Sequence, residues 1–305
     1  MIAKHETFNG TWPFKAKFTT NAGFKQHYID EGSLDAEVLI CLHGQPTWGY
    51  VYRKMVPYLS KYYRVIVPDH MGFGKSATPQ NRTYTLESHV TNLAYLIEDL
   101  KLRNITFIAQ DWGGPIAGAY ALTFPKNVVR FCLMNTLLGY SGRLPNQKLT
   151  PWFYWIKKHQ SEGTLTGVLG ELGSSVLSIM QLLGFERLSV VDQNWIKAYS
   201  AAFPDRKSCI GAINFPLDIS LGHCKDYIIK TLKLGNLSQI KQKPAMLIEG
   251  MKDRAIHPEN AIADFKRLWP DGPIIELDDA GHFCQEDCPE TLVALIHQFI
   301  YLTRT

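Results

Sequence analysis

The sequence predicts an α/β fold in which helices flank a mostly parallel central sheet, with a helical segment inserted in the middle of the chain. Short apolar runs alternate with segments whose apolar residues recur at helical spacing. The runs are continuously apolar, which is typical of strands covered on both faces. The alternation stops between residues 137 and 237 and then resumes.

Six of these runs are predicted as strands, and they cover residues 38–42, 64–67, 105–109, 131–134, 245–248 and 273–277. Residues 15–20 and 24–29 are predicted as an antiparallel hairpin at one edge. Helices are predicted where Val90, Leu93 and Ile97 repeat at helical spacing, and again near the C-terminus. Pro258 and Pro289 are expected in the first turns of two further helices.

The break in the pattern predicts three segments. Residues 1–136 and 238–305 are expected to form the two parts of one α/β core, and residues 137–237 a helical cap. In open α/β sheets ligands bind beyond the carboxyl ends of the strands. We therefore expect the cap to lie over that edge.

Composition, charge and cysteine spacing argue against several classes of protein, namely nucleic-acid-binding, membrane-spanning and metal-binding proteins. The chain has 305 residues, is 46% hydrophobic and carries a formal charge of +4 without any run of five basic residues, so a nucleic-acid partner is not expected. No segment has the ~20 apolar residues that a membrane span needs, and the N-terminus lacks a signal-peptide core. The six cysteines show no metal-ligand spacing, which predicts a reduced, cytoplasmic protein without a metal site.

The segment Gln110-Asp111-Trp112-Gly113-Gly114 carries the main chemical signal. It joins a predicted buried strand to a predicted helix. In serine esterases of this design, such a strand–turn–helix presents the serine of Gly-x-Ser-x-Gly above the sheet. Here Asp111 takes that place, and a carboxylate is suited to displacement at a saturated carbon.

A carboxylate nucleophile of this kind needs a base and a group that orients the base. The chain order in this design is nucleophile, acid, histidine. Asp253 and His282 both follow predicted strands in that order. An alternative acid position follows the strand at 131–134, but it is occupied by Asn135, which cannot ionise.

A second loop, starting at His43, directly follows the first buried strand. The backbone N–H groups of Gln45 and Trp112 are predicted to form an oxyanion hole. His43 is expected to be structural.

Together these motifs resemble the haloalkane dehalogenase group of the α/β-hydrolase fold. The matching segments are His43-Gly44-x-Pro46-Thr47-Trp48, Gly72-Phe73-Gly74-Lys75-Ser76, Gln110-Asp111-Trp112-Gly113-Gly114, Gly250-Met251-Lys252-Asp253 and Asp279-Ala280-Gly281-His282-Phe283. The resemblance covers nearly the whole chain and is weakest in the cap.

The resemblance implies a definite reaction. Asp111 would displace halide from a small apolar haloalkane, and water activated by His282 would hydrolyse the resulting alkyl ester. Asp253 would orient His282. No metal or organic cofactor is implied; the partners are substrate, water and halide ion.

A leaving halide needs N–H donors in an apolar pocket. The indole of Trp112 is one. In relatives the second donor is a cap tryptophan or an asparagine at the position of Gln45. Trp155 is our choice, with Trp152 and Gln45 left open. Phe215 and Pro216 are expected to line the pocket.

Three other hypotheses remain. Epoxide hydrolysis would use the same nucleophile with two cap tyrosines as acids, and the candidates are Tyr140, Tyr154, Tyr199 and Tyr227. β-Lactone decarboxylation occurs in dehalogenase-like relatives, whose sequences resemble this one around Pro68-Asp69-His70 and over residues 214–219. A ligand-binding protein without catalysis is the fourth hypothesis, against which the intact Asp111, Asp253 and His282 set argues.

Overall fold

The computed structural model describes residues 2–140 and 150–304. Its sheet has eight strands: β1 (Lys17–Thr19), β2 (Gln26–Glu31), β3 (Val38–Leu42), β4 (Arg64–Pro68), β5 (Ile105–Gln110), β6 (Val128–Met134), β7 (Ala245–Gly250) and β8 (Ile274–Leu277). All six predicted core strands and the predicted hairpin are therefore confirmed.

The strand order across the sheet is β1-β2-β4-β3-β5-β6-β7-β8. Only β1 with β2 and β2 with β4 pair antiparallel, and the other five pairs are parallel. In β3, β5 and β7 every residue is buried. This agrees with the continuous apolar pattern, because helices cover both faces of a parallel sheet.

Thirteen α-helices accompany the sheet in the described residues. They are α1 (Val56–Leu59), α2 (Leu86–Asp99), α3 (Gly113–Thr123), α4 (Pro151–Ser161), α5 (Leu165–Leu169), α6 (Leu172–Leu183), α7 (Gln193–Ser200), α8 (Ile210–Ser220), α9 (His223–Leu234), α10 (Leu237–Lys241), α11 (Pro258–Leu268), α12 (Cys284–Asp287) and α13 (Pro289–Leu302).

Local sequence explains several helix starts. Pro258 and Pro289 occupy the first turns of α11 and α13, as predicted, because proline has the φ of a helix and needs no hydrogen-bond partner there. Thr85 and Ser88 form a capping box at the start of α2, where each side chain satisfies a backbone N–H of the other residue.

Seven helices, α4 to α10, lie between β6 and β7, and we call them the helical insertion. This is where the sequence places the cap, although residues 141–149 of the predicted cap lie outside the described part of the chain. The limits of 137 and 237 for a separate domain stay a prediction. All six cysteines are free thiols. No helix in the described residues combines the length and apolar character needed to cross a bilayer.

Candidate active site

Asp111 lies between β5 and α3 with φ of +50°. A residue other than glycine rarely adopts this left-handed conformation, and such strain is concentrated at functional sites. The bend is held on both sides: the Asp111 N–H donates to the carbonyl of Asn135 at 3.3 Å, and its carbonyl accepts the N–H of Gly114 at 3.1 Å. The carboxylate is thereby presented beyond the end of β5.

The loop after β3 meets that carboxylate directly. The backbone N–H of Gln45 donates to Oδ1 of Asp111 at 2.8 Å. A Cβ atom at Gly44 would overlap the Asp111 side chain. The position therefore needs glycine because two backbone segments approach each other closely there.

Asp111, His282 and Asp253, the three side chains predicted from the sequence, come together. Nδ1 of His282 lies 2.8 Å from Oδ2 of Asp253, and Nε2 lies 3.5 Å from Oδ2 of Asp111. The other oxygen of Asp253 accepts the N–H groups of Ala255 at 2.7 Å and Ile256 at 2.9 Å. The arrangement matches a nucleophile, a base and an orienting acid.

The pKa of His282 depends on its burial and on its two acidic neighbours, Asp253 and Asp111. Burial of the imidazole lowers its pKa, but the charges of Asp253 and Asp111 outweigh burial and raise the pKa of His282 above its ordinary value. Neutralising Asp111, as an alkyl ester would, removes one of these charges. The pKa of His282 would then fall, which favours its action as a base at that stage.

Asn135 has a role that sequence reasoning missed, since the residue was considered only as a failed acid. Its amide nitrogen donates to Oδ2 of Asp253 at 3.0 Å and to Oε1 of Glu249 at 3.2 Å, and its Oδ1 accepts the N–H of Gly250 at 3.0 Å. The asparagine thus fixes the end of β7 and the acid that follows it.

Glu249 was also missed. It is fully buried near the end of β7, and burial together with the charge of Asp253 raises the pKa of its carboxyl well above the ordinary range. The environment of Glu249 therefore favours the protonated form of its carboxyl group. The signal was a glutamate directly following a predicted apolar strand.

Gln110, the last residue of β5, is the third missed group. Its side-chain amide nitrogen lies 3.1 Å from Nε2 of His282 and 3.0 Å from the His282 carbonyl oxygen. Its position beside Asp111 was visible in the sequence, but its contact with a residue far along the chain was not.

Trp112 follows the nucleophile and forms the start of α3. Its ring stacks on Phe215 of α8, with centroids 4.3 Å apart and planes at 14°. Phe215 and Pro216 are both buried in α8, and Phe215 lies against the tryptophan. Their role as pocket residues stays a prediction.

The candidates for the second halide donor differ in their surroundings. Trp155 lies between two other rings of α4: Trp152 stacks on it at 5.2 Å, and His159 lies at 4.5 Å with its ring tilted by 52°. The side-chain amide of Gln45 donates to the carbonyl of Ala212 in α8 at 2.7 Å. Gln45 therefore contributes its backbone N–H to Asp111 while its side chain binds the helical insertion.

The helical insertion contacts both sides of the site. Nε1 of Trp48 donates to the carbonyl of Ala198 in α7 at 3.0 Å. At the end of α6, the carbonyl of Leu183 accepts the N–H of Arg254 at 2.9 Å, and that of Gly184 accepts the N–H of Phe283 at 3.2 Å. The insertion thus lies against the loops that carry Gln45, Asp253 and His282.

Two of the tyrosines considered as acids for epoxide opening are not placed to donate a proton beside Asp111: one is bonded to another carboxylate and the other faces solvent. Tyr199 donates to Oε1 of Glu286 at 2.5 Å, and Tyr154 is 62% exposed.

Among the described residues, no three His, Cys, Asp or Glu side chains are grouped so that they could hold a metal ion.

Comparison with known proteins agrees with this geometry. A family model described as alpha/beta hydrolase fold matches residues 37–289. The chain belongs to the alpha/beta hydrolase fold family. Within that family it is haloalkane dehalogenase-like.

Individual relatives of this α/β hydrolase carry two names. It is 32% identical to a cis-3-alkyl-4-alkyloxetan-2-one decarboxylase from Xanthomonas campestris over 91% of this chain and 93% of that protein. It is 31% identical to a haloalkane dehalogenase from Psychrobacter cryohalolentis over 90% and 87% of the two chains. The solved haloalkane dehalogenase DpaA from Paraglaciecola agarilytica superposes with a TM-score of 0.75 at 27% identity, covering 93% of this chain and 92% of that one.

Proposed function

We propose that this α/β hydrolase removes halide from haloalkanes by forming a covalent alkyl ester on Asp111. One observation carries the proposal: the two oxygens of the Asp111 carboxylate have different environments. Oδ1 accepts the N–H of Gln45 at 2.8 Å, whereas Oδ2 faces His282 at 3.5 Å. An attacking oxygen and a future carbonyl oxygen are therefore distinguished before substrate binds.

In the first step Oδ2 of Asp111 attacks the carbon that bears the halogen. The carbon–oxygen bond forms as the carbon–halogen bond breaks, and the halide leaves with the bonding electron pair. The indole N–H of Trp112 is the proposed first donor to that halide. Trp155 is the proposed second donor, with Trp152 as the alternative. The side chain of Gln45 is less suited, because it already donates to Ala212.

In the second step water attacks the ester carbonyl carbon, and Nε2 of His282 accepts the proton of that water. Negative charge develops on Oδ1, where the N–H of Gln45 already lies at 2.8 Å. Asp253 stabilises the imidazolium. Collapse of the intermediate expels the alkoxide, which takes the proton from His282 and leaves as the alcohol. Asp111 is left as a carboxylic acid, and loss of its proton to solvent regenerates the carboxylate and gives the released proton.

The experiment is a halide-release and proton-release assay on bromo-, chloro- and iodoalkanes, with wild-type protein, Asp111→Asn and His282→Gln. We expect turnover only in the wild type. In His282→Gln the first step remains possible, so mass spectrometry should find one alkyl group on Asp111. Full turnover by Asp111→Asn, or no adduct in His282→Gln, would refute the proposal.

β-Lactone decarboxylation is the second candidate, favoured by the 32% identity to the Xanthomonas decarboxylase. Asp111 would attack the saturated ring carbon that is bonded to the ring oxygen, not the carbonyl carbon. The bond between that carbon and the ring oxygen would break, which opens the lactone and leaves a free carboxylate on the adjacent carbon. Loss of carbon dioxide would then form the alkene and expel Asp111. This sequence consumes no water.

The two candidates differ in their need for a base. A cis-3,4-dialkyl-oxetan-2-one should be supplied beside the haloalkanes, and alkene measured by gas chromatography. Alkene formation that persists in His282→Gln, without halide release by the wild type, would establish decarboxylation. Diol formation from an epoxide in the same panel would instead support epoxide hydrolysis.

A further inference from the structure

The side chain of Gln110 touches the imidazole proposed as the base. Gln110 is fully buried at the end of β5. Its amide nitrogen lies 3.1 Å from Nε2 of His282 and 3.0 Å from the carbonyl oxygen of the same residue. Nε2 is also the atom that must accept a proton from water in the proposed reaction.

The orientation of this amide follows from its partners. The carbonyl oxygen of His282 is only an acceptor, so the NH₂ end of the Gln110 amide must face it. The Oε1 atom is buried without a partner among the described residues. Exchanging the two ends would bring two acceptor oxygens together, so the donor end stays beside the imidazole.

A donor next to Nε2 favours one state of His282, against the effect of the two carboxylates that raise its pKa. In that state Nε2 offers its lone pair, and Nδ1 carries the proton that it donates to Asp253 at 2.8 Å. An imidazolium would place an N–H of His282 against an N–H of Gln110.

We propose that Gln110 is a positioning residue that disfavours protonation of Nε2 and holds His282 in the form that can accept a proton from water. The inference deepens the proposed function and depends on it. It assigns to the residue before the nucleophile an effect opposite to that of the neighbouring acids. The acidic residues that face His282 or its loop are Asp111 from the nucleophile turn, Asp253 after β7, Glu249 on β7 and Asp287 on α12. Asp287 accepts the N–H of Gly281.

The direct test does not require turnover. Protein labelled with ¹⁵N-histidine should be titrated by two-bond ¹H–¹⁵N NMR, with the His282→Gln spectrum assigning the signal. Gln110→Met keeps the side-chain length and removes the donor. We expect the pKa of His282 to rise by about one unit or more, since a group that bonds the neutral form has been removed. An unchanged or lower pKa would overturn the proposal.

Gln26→Met is the matched control. Gln26 is a buried glutamine on β2 whose amide donates to the carbonyl of Asp69 at 3.4 Å. Its loss should leave the titration of His282 unchanged. If Gln110→Met does not fold, Gln110→Glu serves instead, because it replaces the donor by an acceptor and should raise the pKa in the same direction.

Kinetics give an independent readout. With a haloalkane that the wild type turns over, the acidic limb of the kcat profile should move to higher pH in Gln110→Met by the same amount, with KM little changed. A uniform loss at all pH values would contradict the proposal. If the wild type has no dehalogenase activity, the proposed function fails while the NMR titration still decides the role of Gln110.

Discussion

At Asp111 a carboxylate stands where related hydrolases present a serine, and its neighbours are arranged around that charge. Oδ1 receives a backbone N–H, and Oδ2 faces an imidazole. Burial beside Asp253 raises the pKa of Glu249 nearby. The amide of Asn135 donates to both Glu249 and Asp253.

His89 shows the cost of burying an imidazole without partners. Both its ring nitrogens are buried and unpaired among the described residues, and its ring lies 4.6 Å from that of Phe215. Burial, with a smaller effect from His43, lowers the pKa of His89 to about 3. The folded protein therefore keeps this group neutral at pH values where the unfolded chain protonates it.

We predict that His89→Leu flattens the loss of stability in acid. Between the folded pKa near 3 and the unfolded pKa of 6.5, only the unfolded state binds the proton, so stability falls as pH falls below 6.5. At pH 5 this residue should destabilise the wild type by about 2 kcal/mol relative to pH 7. Urea denaturation of both proteins at the two pH values measures the difference. Parallel losses would contradict the prediction.

At the scale of elements, the end of α6 carries much of the contact with the catalytic loops. Gly184 has φ of +125°, and a Cβ there would lie 2.8 Å from the backbone nitrogen of His282 and 3.0 Å from the carbonyl oxygen of Lys252. One residue of the helical insertion thus lies against both the loop of His282 and the loop of Asp253.

Gly184→Ala is therefore expected to displace His282 from Asp253 and to lower kcat at least tenfold, which corresponds to about 1.4 kcal/mol of the barrier. Gly163→Ala is the matched control, because Gly163 also has a positive φ, of +69°, and open space around its Cβ position. That change should cost about 1 kcal/mol of stability through backbone strain alone, with kcat retained. Equal kinetic effects in both variants would argue against a steric role for Gly184.

At the scale of the whole molecule, one buried ion pair joins three distant segments. Arg53, which follows the loop of Gln45, forms a bidentate salt bridge with Glu286 of α12. Its Nη1 donates to Oε1, and its Nη2 donates to Oε2 at 2.9 Å. Tyr199 of α7 donates to the same carboxylate at 2.5 Å. The network links the segment after the loop of Gln45, the segment after His282 and the helical insertion.

We predict that Arg53→Met destabilises the protein by about 3–5 kcal/mol, since it leaves Glu286 buried without a counter-charge. The double variant Arg53→Met/Glu286→Leu should recover much of that loss. Chemical denaturation measures both. Lys230→Met, which breaks an exposed bridge to Glu87, should cause no measurable change. If the double variant were no more stable than Arg53→Met, an uncompensated charge would not be the cause.

The parts of the site that could be predicted were those with a local signal. Asp111, Asp253 and His282 each follow a strand in the expected chain order, and the loop of Gln45 follows another. The roles of Asn135 and Gln110 could not be predicted in this way, because their partners Asp253 and His282 lie more than a hundred residues away along the chain. The tie between the Gln45 side chain and Ala212 depended likewise on how α8 packs.

The α/β architecture, the strand positions and the carboxylate in place of a serine could be read from the chain, because apolar periodicity and motif order are local properties. The packing of distant segments established which oxygen of Asp111 meets a backbone donor, which amide contacts Nε2 of His282 and where the helical insertion contacts the loops. Those outcomes depend on distances between segments that meet only after the sheet and the insertion have packed together.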